Sequence, residues 1–346
     1  MPLFRRRSSS GDPRSDYAPF WGWWTSEGRA LAEQTVTGGT DPEAFAATMT
    51  AQVHVMGELA WEIAAGEVSE HVLVIGTGGN ADLRALARRV VLAAPEPDER
   101  WAYVDSRPPA PEPESVVVGI DGQDIDLARV RVAARMDDGR FDVQVHHPTF
   151  PDLPEQARST ATFLALDAAL GEVDTELWLG EVLPVELEPL DGFGLTALRS
   201  VVQDLKRQRL DADGQPRWVM LRGETAEGLL LAMVRSPLHP VMAPHLDTYV
   251  AVTVSYRDQA TGGQPGESSL EALRAFEHRL GARLGNDGQV VAHLSIAGIR
   301  TFHVYVDSTT GALATVKEVA RSWDEGTTSV HDMRDPAWQA VAHLRQ

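Results

Sequence analysis

The chain contains no cysteine among its 346 residues. Disulfide bonds, thiolate zinc sites and cysteine nucleophiles are therefore excluded, because each of them needs a thiol. The length of the chain exceeds what one hydrophobic core usually serves, so it favours two domains.

Long apolar stretches are also absent. The longest uninterrupted apolar run covers residues 229–234, whereas a membrane-spanning helix needs about 18 such residues. Three arginines at positions 5–7 precede no apolar segment, so the sequence predicts no secretory signal. We expect residues 1–15 to form a disordered basic tail, and we expect the protein to be cytoplasmic and not bound to a membrane.

Positive charge is scarce in the first two-thirds of the chain. Residues 216–346 carry 12 Lys and Arg against 14 Asp and Glu, while the residues before them carry 19 against 36, a net charge of −17. Residues 159–198 contain no Lys or Arg but eight acids, namely Asp167, Glu172, Asp174, Glu176, Glu181, Glu186, Glu188 and Asp191. Such a surface repels nucleic acid and attracts a basic protein, although acidic surfaces also serve solubility alone.

The pattern of apolar residues predicts an α+β protein of two domains, an acidic one over residues 16–210 and a second over residues 216–346. Residues 211–216 are turn formers only and mark the predicted boundary. In the second domain, a hairpin (strands 218–221 and 229–234) precedes a β-α-β-β-α-β order. This order is typical of a ferredoxin-like split βαβ sandwich. Its strands are predicted at residues 249–256, 290–296, 300–306 and 328–333, and its helices at 270–284 and 312–323.

Two further local predictions concern individual elements. Ser268 and Glu271 have the spacing of a capping box, which predicts a helix start at these residues. Residues 176–187 are predicted to form a strand within the acidic stretch.

His303 and Tyr305 are candidate binding residues. In a strand they share one face, while Phe302, Val304 and Val306 share the other. We expect the second set to be the core face covered by helices. His303 and Tyr305 would then lie on the open face of the sheet, either as a binding platform or as an ordinary solvated surface.

His239, His245 and Asp247 are the weak candidates for a metal site. They lie in a loop with prolines at 237, 240 and 244, and two histidines with a carboxylate are a known catalytic zinc set. Their spacing matches no motif in which a helix or strand fixes the ligands. The sequence therefore predicts no catalytic residue, no bound metal and no cofactor.

Trp23 is the third candidate binding residue. On a helix, Trp21 and Trp24 share a face and Trp23 points away, so we expect one or two of them in the core and Trp23 either as an exposed interface anchor or as a further part of the core packing. A glycine-rich stretch, Gly-Thr-Gly-Gly at residues 76–79, separates a predicted strand from a helix. It lacks the spacing of phosphate-binding loops, which favours a tight turn.

Residues 218–344 resemble the bacterial domain-of-unknown-function family 695. The resemblance is carried by Leu-Glu-Ala-Leu-Arg-Ala-Phe-Glu in the first helix, by the hairpin 296–305 and by Asp-Met-Arg-Asp-Pro-Ala-Trp at 332–338. Residues 17–207 are similar to N-terminal regions found in some relatives. The family is distantly similar to the small acidic protein inhibitors of ribonuclease E, which implies the split βαβ fold and a binding role.

These observations favour a non-catalytic protein that binds another protein, with a basic protein as the candidate partner, acting as a regulator, inhibitor or immunity-type factor. Two alternatives stay open. One is a metal-assisted hydrolase that uses His239, His245 and Asp247, and the other is a small-ligand module on the open sheet face.

Overall fold

The computed structural model describes residues 16–39 and 41–345. Helices and strands are mixed along the chain, which confirms the α+β prediction. Two compact units divide the described residues, one within 16–64 and 68–105 and the other within 65–67 and 106–345. The predicted boundary at 211–216 falls inside the second unit, in a turn between a helix and a strand, and stays a prediction. The predicted tail, residues 1–15, lies outside the described residues.

The first unit combines helices with a small sheet. Its helices are α1 (Ala18–Trp23), which continues through a π-helical turn (Trp24–Gly28) into α2 (Arg29–Val36), followed by α3 (Pro42–His54) and α4 (Arg84–Leu92). Its strands are β1 (Ala60–Ala65), β2 (His71–Gly76) and β3 (Trp101–Val104), in that order across the sheet. The Asp41 side chain accepts a hydrogen bond from the Glu43 N–H and starts α3 as a cap.

Residues 106–210 of the second unit form two sheets and three helices. The strands are β4 (Val117–Ile120), β5 (Gln123–Asp126), β6 (Arg131–Asp137), β7 (Arg140–His146) and β8 (Leu179–Val185), and the helices are α5 (Glu155–Leu170), α6 (Glu172–Trp178) and α7 (Leu195–Arg209). β4 pairs with β5, and β6-β7-β8 form a three-stranded sheet with β8 at its edge. The predicted strand 176–187 was wrong at its start, because α6 runs to Trp178 and buries Leu177 and Trp178 in the core.

A six-stranded sheet follows. Its elements are β9 (Arg217–Thr225), β10 (Gly228–Ser236), β11 (Thr248–Ser255), α8 (Glu267–Leu284), β12 (Gly288–Ile296), β13 (Ile299–Val306), α9 (Ala312–Arg321) and β14 (Thr328–Arg334). The strand order is β14-β11-β13-β12-β10-β9, and every neighbouring pair is antiparallel. β9 and β10 form the predicted hairpin, with longer strands than the sequence indicates.

α8 and α9 cover one face of this sheet. Phe302, Val304 and Val306 of β13 are buried there against Phe276 of α8 and Val316 of α9, as the alternation along the strand predicts. No helix in the described part of the chain is long and apolar enough to cross a bilayer.

The opposite face of the sheet is covered as well. Tyr305 lies in a second apolar cluster with Leu238 and Leu246 from the loop after β10 and with Trp338 and Val341 from the segment after β14. The prediction of an open face was therefore wrong around Tyr305. The physical reason is that this face carries enough apolar surface to recruit chain from two loops, which strand alternation alone cannot reveal.

The predicted capping box at the start of α8 was also wrong. The residue before the helix is Gly266, which has no side chain to act as a cap, and the Ser268 backbone N–H in the first turn donates to the Asp258 carboxylate at 3.1 Å. Ser268 Oγ instead donates to the Asp258 carboxylate, and Ser269 Oγ donates to Glu325. The fold brings the Asp258 and Glu325 carboxylates near these serines. Because a carboxylate is a strong hydrogen-bond acceptor, both hydroxyl groups donate to it and do not cap the helix.

Candidate functional site

His303 and Tyr305 belong to a buried polar network between β13 and β11. A hydrogen bond of 2.7 Å joins His303 Nδ1 to the Tyr249 hydroxyl, and Tyr249 lies opposite Tyr305 in the strand register. The Tyr305 hydroxyl donates to Asp335 Oδ2 at 2.6 Å. Tyr305 is 0% exposed and stacks on Trp338, with ring centroids 4.4 Å apart. The network is thus closed from solvent at Tyr305.

The chain after β14 holds this closure in place. Asp335 also accepts hydrogen bonds of 2.8 Å from the backbone N–H groups of Gln339 and Ala340. The Trp338 indole N–H donates to the Leu246 carbonyl oxygen at 2.9 Å, and Trp338 has a left-handed backbone with φ of 53°. Several bonds therefore share one carboxylate and fix the aromatic lid over Tyr305.

The electrostatics of the network favour a structural role. Burial lowers the pKa of His303 to about 4 and raises the pKa of Tyr249 to about 12. Burial and the Asp335 carboxylate together raise the pKa of Tyr305. At neutral pH all three rings are uncharged, so none of them is poised for proton transfer.

The candidate metal ligands do not converge. Asp247 is fully buried, and its carboxylate accepts hydrogen bonds from the Ser308 backbone N–H at 3.1 Å and from the Ser308 hydroxyl at 3.0 Å. His245 Nε2 lies 3.0 Å from the Asn286 carbonyl oxygen, and His239 Nδ1 accepts from the backbone N–H two residues ahead. Across residues 16–39 and 41–345, no group of three or more His, Asp and Glu side chains could hold a metal ion.

Trp23 lies on the predicted side of its helix. Trp21 and Trp24 are buried in the core of the first unit, while Trp23 is half-buried and contacts Phe20 with ring centroids 6.0 Å apart. The π-helical turn after Trp23 brings Gly28 against the Trp23 and Trp24 rings so closely that a Cβ atom would lie within 3.0 Å of them. The role of Trp23 as an interface anchor stays a prediction.

The glycine-rich stretch after β2 forms a tight turn into α4. Gly78 and Gly79 have φ angles of 58° and 88°, a backbone region that residues with a Cβ atom rarely adopt. The Asn80 side chain accepts from the Asp82 N–H and starts the next helical turn. The positive φ angles of the turn therefore explain why glycine occupies positions 78 and 79.

The edge strand β8 and the loop after it carry an exposed surface that we call the β8 edge segment, residues 181–191. Leu183, Leu187 and Leu190 expose 42%, 85% and 108% of their surface. The exposed acids of the same segment are Glu181, Glu186, Glu188 and Asp191. Glu186 pairs with Arg158, and Glu188 lies 3.9 Å from Arg131. Exposed leucines alternate here with carboxylates.

Sequence reasoning noted the acids of this segment but missed its leucines. A leucine in a predicted strand is ordinarily assigned to the core. The available signal was the pair of prolines at 184 and 189 beside those leucines, because proline is confined to edge strands and loops. Leu187 and Leu190 lie after the end of β8, in a connecting segment at the surface.

The comparisons with known proteins concern the C-terminal part of the chain. Residues 217–343 match the model of a family described as Family of unknown function (DUF695). This match supports the predicted domain family for that segment. No curated protein and no solved structure matched the chain.

Proposed function

We propose that the protein is a non-catalytic binding protein that recognises a basic protein through the β8 edge segment. The observation that carries the proposal is the exposure of Leu183, Leu187 and Leu190 among carboxylates. Single exposed leucines need no explanation, but three within eight residues, interspersed with carboxylates, match the combination of apolar and polar surface that marks contact sites. The buried networks around Tyr305 and Asp247 supply structure rather than chemistry.

Charge defines the partner. Glu181 and Asp191 form no ion pair with any described residue, so their charges act on whatever approaches the segment. A partner with Lys or Arg interspersed among apolar side chains would match both features of the surface, and complementary charge would speed its association. Because β8 is an edge strand, an extended segment of the partner would also find unpaired backbone groups beside it.

We also propose that residues 248–334 form a ferredoxin-like split βαβ sandwich, extended by the β9–β10 hairpin. In its support, β11, β12, β13 and β14 lie in the order β14-β11-β13-β12, with α8 following β11 and α9 following β13 on one face. We further propose that this fold is distantly similar to the ribonuclease E inhibitors, that residues 17–207 are similar to the N-terminal regions of relatives, and that the protein is cytoplasmic. A regulator, inhibitor or immunity-type factor is the role that they suggest.

Defined peptides test the binding proposal. A peptide of alternating Lys and Leu, one of alternating Lys and Ser and one of alternating Glu and Leu serve as probes in fluorescence anisotropy. We expect the Lys-Leu peptide to bind most tightly, with affinity that falls as salt rises, because it matches both charge and apolar surface. Equal binding of the Lys-Leu and Glu-Leu peptides would contradict the proposed role of charge.

Substitutions locate the binding surface. Leu187→Ser together with Leu190→Ser removes two exposed apolar contacts and should weaken binding of the Lys-Leu peptide by at least about tenfold, since full burial of even one leucine contributes about 1.5–3 kcal/mol. Val117→Ser is the matched control, because Val117 is exposed on β4, outside the segment. If the control weakened binding as much as the double variant, the peptide would be binding elsewhere.

A further inference from the structure

A cavity of about 200 Å³ lies within the second unit. Its walls come from the β6–β7 turn, the ends of α6 and α7, the chain just after β10 and residue 345. Three arginines line it, Arg140, Arg209 and Arg345, together with a single aspartate, Asp138. The chain as a whole has a net charge of −19, whereas arginines outnumber acidic residues in the lining of this cavity.

Backbone carbonyl groups anchor two of these arginines. Arg140 Nη2 donates to the carbonyl oxygens of Glu176, at 2.6 Å, and Leu179. Arg345 Nη2 donates to the carbonyl oxygens of Ala337 and Trp338 at 2.8 and 2.9 Å. Carbonyl oxygens fix the orientation of a guanidinium group without neutralising its charge.

The other side of each anchored guanidinium group is unsatisfied. The Nε atoms of Arg140 and Arg345 are buried and have no hydrogen-bond partner within the described residues. A buried N–H group without an acceptor costs about 1–3 kcal/mol, and more for a charged group. Burial lowers the pKa of Arg140, and the nearby charges of Glu176 and Asp142 raise it. Arginine stays protonated at neutral pH in either case. Arg140 therefore keeps a positive charge at the wall of the cavity.

Arg209 is the third cation at the cavity. It is the last residue of α7, is half-buried, and forms no ion pair with a carboxylate in the part of the chain that the structure describes. Its positive charge therefore lies at the cavity wall without a neutralising carboxylate among the described residues.

We propose that this cavity binds a small organic carboxylate. The carboxylate group would accept hydrogen bonds from the guanidinium groups, and its apolar part would lie against Trp178, Leu177 and Leu238, which form the apolar portion of the wall. An organic carboxylate fits better than inorganic phosphate, because phosphate has no apolar part to lie against Trp178, Leu177 and Leu238. The size of the cavity restricts the ligand to a few carbon atoms or one small ring.

Benzoate is the probe for this proposal, measured by isothermal titration calorimetry on the full chain. Benzamide, which has the same shape but no charge, and inorganic phosphate are the comparison ligands. We expect benzoate to bind, and to bind more tightly than either comparison ligand. Absence of benzoate binding, equal binding of benzamide or tighter binding of phosphate would each overturn the proposal.

Two substitutions with opposite expected effects assign the site. Arg209→Gln should weaken benzoate binding about tenfold, because a hydrogen bond to a charged group is lost. Asp138→Asn should strengthen it about twofold to fivefold by removing a like charge, and asparagine tolerates the positive φ of residue 138. Arg207→Gln, in the same helical turn but paired with Asp204, is the control.

The outcome of these substitutions is decisive in both directions. If the control matched Arg209→Gln, or if Asp138→Asn had no effect on benzoate affinity, the anion would be bound elsewhere on the surface. The Leu187→Ser and Leu190→Ser variant should leave benzoate binding unchanged, since the β8 edge segment does not line the cavity. The experiments therefore test the carboxylate site and the protein-binding surface independently of each other.

Discussion

Acidification should destabilise the protein through His303. Burial, together with the charges of His343 and His293, lowers the pKa of this imidazole from 6.5 to about 4. In the unfolded chain His303 binds a proton below pH 6.5, whereas the folded state resists protonation until about pH 4. The unfolded state therefore holds more protons in this window, and the free energy of unfolding falls as pH falls.

The magnitude follows from the shift in pKa. A difference of about 2.5 pKa units corresponds to about 3 kcal/mol at most, fully lost near pH 4. Urea unfolding followed by tryptophan fluorescence, from pH 7 to pH 4.5, measures the free energy of unfolding. Because many other groups titrate, the comparison is with His303→Asn, which keeps an acceptor near the Nδ1 position for the Tyr249 hydroxyl.

The difference between the two proteins isolates His303. At pH 7 the variant should be the less stable, because a smaller side chain leaves a cavity beside Tyr249. As pH falls to 4.5, this disadvantage should shrink or reverse, since only the wild type pays for excluding a proton from His303. A stability difference that stays constant across the whole pH range would refute the reasoning.

Three further predictions concern other buried groups. Burial raises the pKa of Asp167 to about 6. The folded state therefore holds more protons than the unfolded state between pH 3.8 and 6, and the free energy of unfolding falls as pH rises through this window. In urea titrations, Asp167→Asn should raise the free energy of unfolding by about 2 kcal/mol at pH 7 and by little at pH 4. Trp24→Ala should cost about 3–5 kcal/mol by the same assay, because Trp24 is fully buried and its indole donates to the Tyr103 hydroxyl; a loss below about 1 kcal/mol would contradict the packing described. EDTA should leave the thermal unfolding midpoint unchanged, since Asp247 is bonded to Ser308, and stoichiometric metal in elemental analysis would contradict this.

Much of the secondary structure was predictable because local patterns determine it. Alternation along β13 identified Phe302, Val304 and Val306 as the face under the helices, and the helical spacing of Trp21 and Trp24 identified their buried side. Asp41, directly before Pro42, caps the start of α3 through the Glu43 N–H. Each of these inferences depends on residues within a few positions of one another, where period and capping chemistry act directly.

The sites were less predictable because they depend on contacts distant in sequence. Trp338 covers Tyr305 from 33 positions further along the chain, and no pattern in β13 signals that cover. The three arginines of the cavity come from β7, α7 and the residues after β14, with nothing in the spacing of Arg140, Arg209 and Arg345 to join them. Only the fold places these charges around one space.

The aromatic lid over Tyr305 has a consequence for synthesis on the ribosome. Trp338, Val341 and Leu344 follow every strand of the six-stranded sheet in chain order. While the chain is still being made, the sheet can form with this apolar side covered only by the loop after β10, and the nascent protein would present the remaining apolar surface to chaperones or to other chains. Burial of that side has to wait for the residues that are translated after β14.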